Sequence, residues 1–420
     1  MKNVYILDEH QSSKRNGIGT YLKELIFILK KMDMNICLVS FNADEKEFSI
    51  RTENNMKRIL FPSFLKGGFL NHSTAITSFF RLYIEDSSDT IFIFNHSPCE
   101  NLLNSVKENF PLSKCIFVIH DFGWTSRLLG NPAKLKEIIS QRENEKVKEI
   151  YKDLLDYFDE EKRMYNRADA TLSLCDNAYD VVKNIYQPDK GKIYMIHNGL
   201  SGKVPVNIPK DEKSKLRKKM NLPENEKIIL FAGRLTDTKG IRPLLKAFCR
   251  VVKKYPKVRL IIAGSTHDKK WHTQLCLLGK EAITKITFIE QLTPEEMSEW
   301  YKITDIGLAS AHVEQCSYSG IEMLMYGLPI VASDGFGVQN MFIDGYNAKV
   351  AKIGTDDNLK EYETNLSKAI LELLQSESLC EFIAKNAIET YKEKYTIEIM
   401  QKKYENLFAD FDHQNNSLPA

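Results

Sequence analysis

The sequence predicts an α/β protein made of two successive α/β halves. Three observations carry that prediction. Short apolar runs recur between helical or loop segments through the first two hundred residues, a proline-flanked basic stretch interrupts the rhythm between residues 201 and 226, and the same rhythm then restarts. Size agrees, since 420 residues suffice for two ordinary domains and 43% hydrophobic content supports packed cores.

In the first half, residues 4–7, 36–41, 91–94, 115–120, 170–175 and 193–196 read as strands. Residues 21–30 between them carry a helical apolar stripe, and 137–167 reads as one long charged helix with Leu154, Leu155, Phe158 and Tyr165 on its seam. Pro205, Pro209 and Pro223 then flank a basic run, 213–220, which is expected to be a helix with a solvated cationic face rather than a phosphate patch. Strands are expected again at 228–232, 259–263, 286–289, 306–309 and 330–332. The expected domains are therefore 1–202 and 203–393, with a cleft between them, followed by a helical tail at 394–412 that docks rather than floats. Ile399, Met400, Tyr404 and Leu407 give the tail its apolar side.

Composition removes several functions. With 58 basic and 56 acidic residues the net charge is +2, so no global field gathers nucleic acid or an anionic membrane, although peripheral membrane contact stays open. Eight cysteines without a C-x-x-C pair or a Cys/His ligand spacing read as reduced, buried thiols in a cytoplasmic protein. The N-terminal apolar run is too short for a signal peptide, and no window approaches a membrane span.

Residues 314–322 read Glu-Gln-Cys-Ser-Tyr-Ser-Gly-Ile-Glu, two carboxylates with seven residues between them. The segment before them alternates like a buried strand, so Glu314 is expected just beyond a strand end and Glu322 inside the next helix. In parallel sheets, crevices open outside the carboxyl ends of the strands, and helix N-termini present their N–H groups there. A bent loop followed by a helix would let the two carboxylates converge. A solvated face is the competing reading, opposed by the small or polar Cys316, Ser317, Tyr318, Ser319 and Gly320 between them.

Residues 231–240, Phe-Ala-Gly-Arg-Leu-Thr-Asp-Thr-Lys-Gly, put Arg234 and Lys239 on one strand-end loop beside Gly233 and Gly240. A guanidinium and an ammonium together suit a diphosphate and the charge that builds on it as it leaves. Two surface cations are the alternative. Residues 16–21 place Gly17 and Gly19 at a helix start, where they either approach a phosphate or sugar or serve helix packing. Leu22 stands where a dinucleotide fingerprint needs glycine, and no Walker A pattern occurs. His120 ends a strand beside Asp121 and is a candidate for catalysis or sugar contact. His96 and His197 read as turn formers, and Asp410 with Asp412 as a solvated face of the tail helix. No metal site or cofactor is indicated.

Taken in order, Gly17-Ile-Gly19, His120-Asp121, Asn198-Gly199, Gly233-Arg234 with Lys239-Gly240, the Glu314 and Glu322 pair, and the Gly-Leu-Pro-Ile-Val-Ala-Ser run at 327–333 resemble the retaining GT-B glycosyltransferases of family 4, the glycosyl transferases group 1. The resemblance implies two Rossmann-like domains facing a central cleft. The first would bind the acceptor, the second the nucleotide sugar, and a C-terminal helix would cross back to the first. It implies that Arg234 and Lys239 hold the donor diphosphate and that Glu322 binds the ribose hydroxyls. Glu314 would face the transferred sugar and the developing oxocarbenium ion, and backbone N–H groups of Cys316, Ser317 and Tyr318 would line the sugar pocket. His120 would sit near that sugar, while Gly17 and Gly19 would admit donor phosphate and acceptor. The implied reaction is metal-independent transfer of a hexose from a UDP- or GDP-linked donor to a hydroxyl of a glycan, lipid-linked sugar or peptide, with retention. Gln315-Cys-Ser-Tyr318 departs from the Gly-Phe-Gly frequent after the first Glu in that family, which leaves the donor sugar open. A sugar-nucleotide epimerase or hydrolase, and a non-catalytic partner of another transferase, are the other readings.

Overall fold

The computed structural model describes residues 1–10, 17–64, 72–95, 99–189, 192–205, 208–264, 268–290, 292–354 and 359–416, so that Asn16 and His96 lie outside the described residues. The chain divides into two compact units, Met1–Gly199 with Ile397–Ala420, and Leu200–Thr396.

The first unit is built on strands β1 (Asn3–Glu9), β2 (Asn35–Ala43), β3 (Ser49–Glu53), β4 (Met56–Pro62), β5 (Thr90–Phe94), β6 (Lys114–Ile119), β7 (Ala170–Ser173) and β8 (Lys192–Met195). They lie in the order β3-β4-β2-β1-β5-β6-β7-β8, and every pair is parallel except β3 with β4. The central strands are apolar runs buried on both faces, as parallel sheets covered by crossover helices require. The helix Gly17–Lys31 follows β1 and buries Tyr21, Leu22, Leu25, Ile28 and Leu29. The polar hairpin β3-β4 has no apolar run to announce it. It turns on Asn54 and Asn55 at φ 50° and 58°, the left-handed pair of a two-residue hairpin.

The stretch 137–167 is not one helix. Pro132–Ser140 ends before Gln141, and Glu145–Arg167 starts anew where the Asn144 side chain caps the Lys146 N–H. The tail helix, Ile397–Asn416, belongs to the first unit and buries Met400, Tyr404, Leu407, Phe408 and Phe411. Its Tyr404 hydroxyl bonds that of Tyr21, and Lys403 Nζ lies 3.4 Å from His197 Nδ1. Asp410 accepts from the Tyr194 hydroxyl at 2.9 Å and Asp412 pairs with Lys2, so these two aspartates fasten the helix to the unit instead of forming only a solvated face.

The second unit carries β9 (Lys227–Ala232), β10 (Val258–Ala263), β11 (Ile286–Ile289), β12 (Ile306–Ala309), β13 (Ile330–Ser333) and β14 (Lys349–Ala351), all parallel in the order β11-β10-β9-β12-β13-β14. The helices Ile241–Lys254 and Lys360–Gln375 pack Leu244, Phe248, Tyr362, Leu366 and Ile370 into one core with the strands. The basic run forms the helix Lys210–Lys219, but its cations are not simply solvated. Arg217 and Lys213 reach Asp305 at 2.6 and 3.2 Å. Burial pushes the Asp305 carboxyl up, yet Lys213, Arg217, the Ile228 N–H and Lys227 together hold it below its ordinary value. Among the described residues no helix is long and apolar enough to cross a membrane.

Candidate active site

β9 and β12 are neighbours in the six-stranded sheet and end at Ala232 and Ala309, so the loops that follow them open at the same edge. The loop after β9 is fixed by its surroundings. Trp271 Nε1 donates to the Leu235 carbonyl at 2.6 Å, the Arg242 guanidinium lies 4.3 Å from the Trp271 ring centre, and Arg242 pairs with Asp237 at 2.8 Å. Gly240, at φ 70°, closes the loop against the other one, because a Cβ there would stand 2.0 Å from the Ser310 carbonyl oxygen. Its conformational freedom serves the approach of two protein backbones.

The loop after β12 runs between two others. The His312 N–H donates to Thr238 O at 2.8 Å, Phe336 N–H to His312 O at 2.9 Å, and Glu314 N–H to Phe336 O at 2.9 Å. Gly337 lies against this ladder at φ 77°, with no room for a Cβ beside the Glu314 carbonyl. Neither Gly337 nor His312 belongs to the motifs read above. The residue string Gly335-Phe-Gly337 after β13 was the available signal. His312 is buried with its ring edge-on to Tyr362, centres 5.3 Å apart, and burial holds its pKa below the usual imidazole value.

This scaffold brings Lys239 and Glu314 into an ion pair, both side chains less than a fifth exposed. Arg234 is exposed on the same loop, and among the described residues no ion pair engages its guanidinium. Glu322 lies in the helix Tyr318–Met325 and accepts from the buried Tyr301 hydroxyl at 2.7 Å. Burial raises its pKa, with the Tyr301 bond acting the other way. The two glutamates thus have separate partners on separate elements. Ser317 caps this helix through Gly320 N–H at 3.2 Å, while its own N–H points at Met341 Sδ, 3.3 Å away, instead of into an open pocket. Cys316 and Tyr318 are buried, and Gly233 ends the strand side of the Arg234 loop.

Gly17, Gly19 and His120 are in the first unit. Gly17 is the exposed first residue of its helix and Gly19, two residues further, is partly buried. His120 follows β6, but Asp121 is not its partner, because Asp121 Oδ1 accepts from the Phe122 N–H at 2.9 Å and the Thr125 hydroxyl at 2.5 Å. His120 Nε2 instead lies 3.1 Å from Asn95 Oδ1. Behind this loop the buried Glu161 accepts from Gly123 N–H at 2.8 Å and from the Tyr186 hydroxyl. Burial pushes its carboxyl up to about 7 against both bonds.

Known proteins resemble the chain in sequence and in fold. Residues 212–390 match the family described as Glycosyl transferases group 1. An uncharacterized glycosyltransferase of Methanocaldococcus jannaschii is 25% identical over 54% of this chain and 56% of its own length. Alpha-monoglucosyldiacylglycerol synthase of Acholeplasma laidlawii is 27% identical over 48% of each chain. The chain spans about half the length of these curated relatives. Sucrose-phosphate synthase from Thermosynechococcus elongatus superposes with a TM-score of 0.76 at 14% identity, covering 99% of this chain and 100% of that one. HepE of Anabaena, solved with UDP and glucose, gives 0.72 at 14% identity over 98% and 100%. The fold is GT-B, an α/β architecture of two units built on parallel sheets with the C-terminal helix returned to the first.

Proposed function

We propose that this protein is a retaining glycosyltransferase that moves a hexose from a UDP- or GDP-linked donor to a hydroxyl of a glycan, a lipid-linked sugar or a peptide. The observation that carries the reading is the Lys239 and Glu314 ion pair at the ends of two adjacent strands, with Arg234 exposed on the same loop as Lys239. The group 1 domain over the same residues and the UDP complex of a fold neighbour support it.

In this reading the pair is a resting state. An arriving diphosphate takes Lys239 and Arg234, and Glu314, released from its cation, turns to the sugar hydroxyls. Glu322 receives the ribose, which needs its carboxylate to exchange the Tyr301 bond or share it. The anomeric carbon then parts from the diphosphate oxygen and bonds the acceptor oxygen on the same face. The acceptor proton passes to the departing phosphate, and the cations stabilise the charge on that group. Because the protein supplies fixed charges and alignment, no metal or cofactor is required by this scheme.

The test is incubation of the purified protein with a panel of UDP- and GDP-sugars and candidate acceptors, reading released nucleoside diphosphate and the anomeric configuration of the product by NMR. A product that keeps the donor's configuration supports the reading. Free sugar or an epimer formed equally well without acceptor would replace it with a hydrolase or epimerase, and inversion would discard the retaining step.

A further inference from the structure

Three adjacent strands of the first unit, β1, β5 and β6, set Asp8, Asn95 and His120 side by side at their carboxyl ends. Asp8 and Asn95 are buried, and His120 is partly exposed. Asn95 Nδ2 donates to Asp8 Oδ1 at 2.9 Å, and Asn95 Oδ1 is 3.1 Å from His120 Nε2. The two ends of an amide are told apart by their partners. With the NH2 of Asn95 donating to Asp8, its carbonyl oxygen faces the histidine. That oxygen only accepts, so Nε2 must carry a hydrogen.

We propose that Asp8 and Asn95 are positioning residues that hold His120 in its Nε2–H tautomer. The lone pair of the neutral ring then lies on Nδ1. Tyr21 fixes the plane of the ring, meeting it at 82° with centres 4.8 Å apart, and is itself held by Tyr404 of the tail helix. The carboxylate that orients this histidine is therefore Asp8 at the end of another strand, while its sequence neighbour Asp121 holds the loop. What Nδ1 receives rests on the proposed function. The tautomer does not.

The experiment uses the full chain with 15N-labelled histidine and no nucleotide or sugar, at about pH 8.5, well above the ordinary histidine pKa. Two-bond proton–nitrogen correlations report the tautomer, with His120 assigned by the signal lost in His120→Gln. A neutral ring protonated on Nε2 is expected. Asp8→Asn keeps the side chain's shape but lets the Asn95 amide turn, so the Nδ1 resonance should move toward the protonated range and kcat should fall with donor KM unchanged. A wild-type ring protonated on Nδ1 or on both nitrogens overturns the proposal, even where the variant fails to fold. So does a wild-type spectrum in a folded Asp8→Asn protein. Failure of the transfer assay beside the expected spectrum would count against the proposed activity and leave the relay in place.

Discussion

The two units solve the same problem, orienting side chains at the ends of parallel strands, with opposite materials. In the second unit the groups are full charges, Lys239 against Glu314 with Arg234 exposed, on loops cross-linked by backbone bonds. In the first they are a carboxylate, an amide and an imidazole joined in series, the first two buried and the imidazole partly exposed. A charge pair can exchange its partner for a ligand's charges. A buried relay loses stability if any member is left unpaired, so it keeps one arrangement. The contrast separates a part of the molecule suited to rearrangement on binding from a part suited to staying fixed.

The largest test of that contrast is Lys239→Ala. It should lower donor kcat/KM by about 30-fold or more, roughly 2 kcal/mol of lost charge-assisted bonds, and leave the His120 tautomer unchanged. Steady-state kinetics and the histidine spectrum check the two halves of the statement. Gly337→Ala attacks the scaffold instead of the charges. With φ at 77° and the Glu314 carbonyl where a Cβ would stand, it should cost roughly 1–3 kcal/mol of stability in a denaturant titration and weaken donor binding with it. Tyr404→Phe should cost about 1–2 kcal/mol, because the buried Tyr21 hydroxyl loses its partner, and should leave the nucleotide affinity as it was.

The last effect is a slope. Glu161 has its carboxyl pushed up to about 7 by burial, above its ordinary value, so the folded state holds its proton more tightly than the unfolded chain does. Its contribution is present at low pH and is lost as pH rises from the unfolded carboxylate range through about 7. Melting curves across that window should show Glu161→Gln losing a pH dependence of at most about 1.4 kcal/mol per pH unit.

The same contrast explains what could be read from the residues alone. The groups of the second unit are close in sequence, on two strand-end loops, and apolar runs flank them, so the chemistry of 231–240 and 314–322 is visible in short windows. The core strands were equally plain because parallel strands buried on both sides are continuous apolar runs. The relay could not be seen that way. Asp8, Asn95, His120, Tyr21 and Tyr404 come from five separate stretches, and only strand order and the returned tail helix bring them together. The acid adjacent in sequence, Asp121, bonds Phe122 and Thr125 instead. The hairpin β3-β4 and the break at residues 141–144 escaped for a different reason, being set by turn and cap residues, Asn54, Asn55 and Asn144, in polar surroundings without periodicity.

The most direct test of the nucleotide-sugar assignment is calorimetric titration of UDP and GDP into the wild-type protein and Arg234→Ala, chosen because Arg234 is exposed and its loss should not disturb the fold. One of the two nucleotides should bind the wild type, and the variant should bind it about 30-fold more weakly at an unchanged melting temperature, roughly 2 kcal/mol. Equal affinity in the two proteins, or no binding of either nucleotide, would contradict the account.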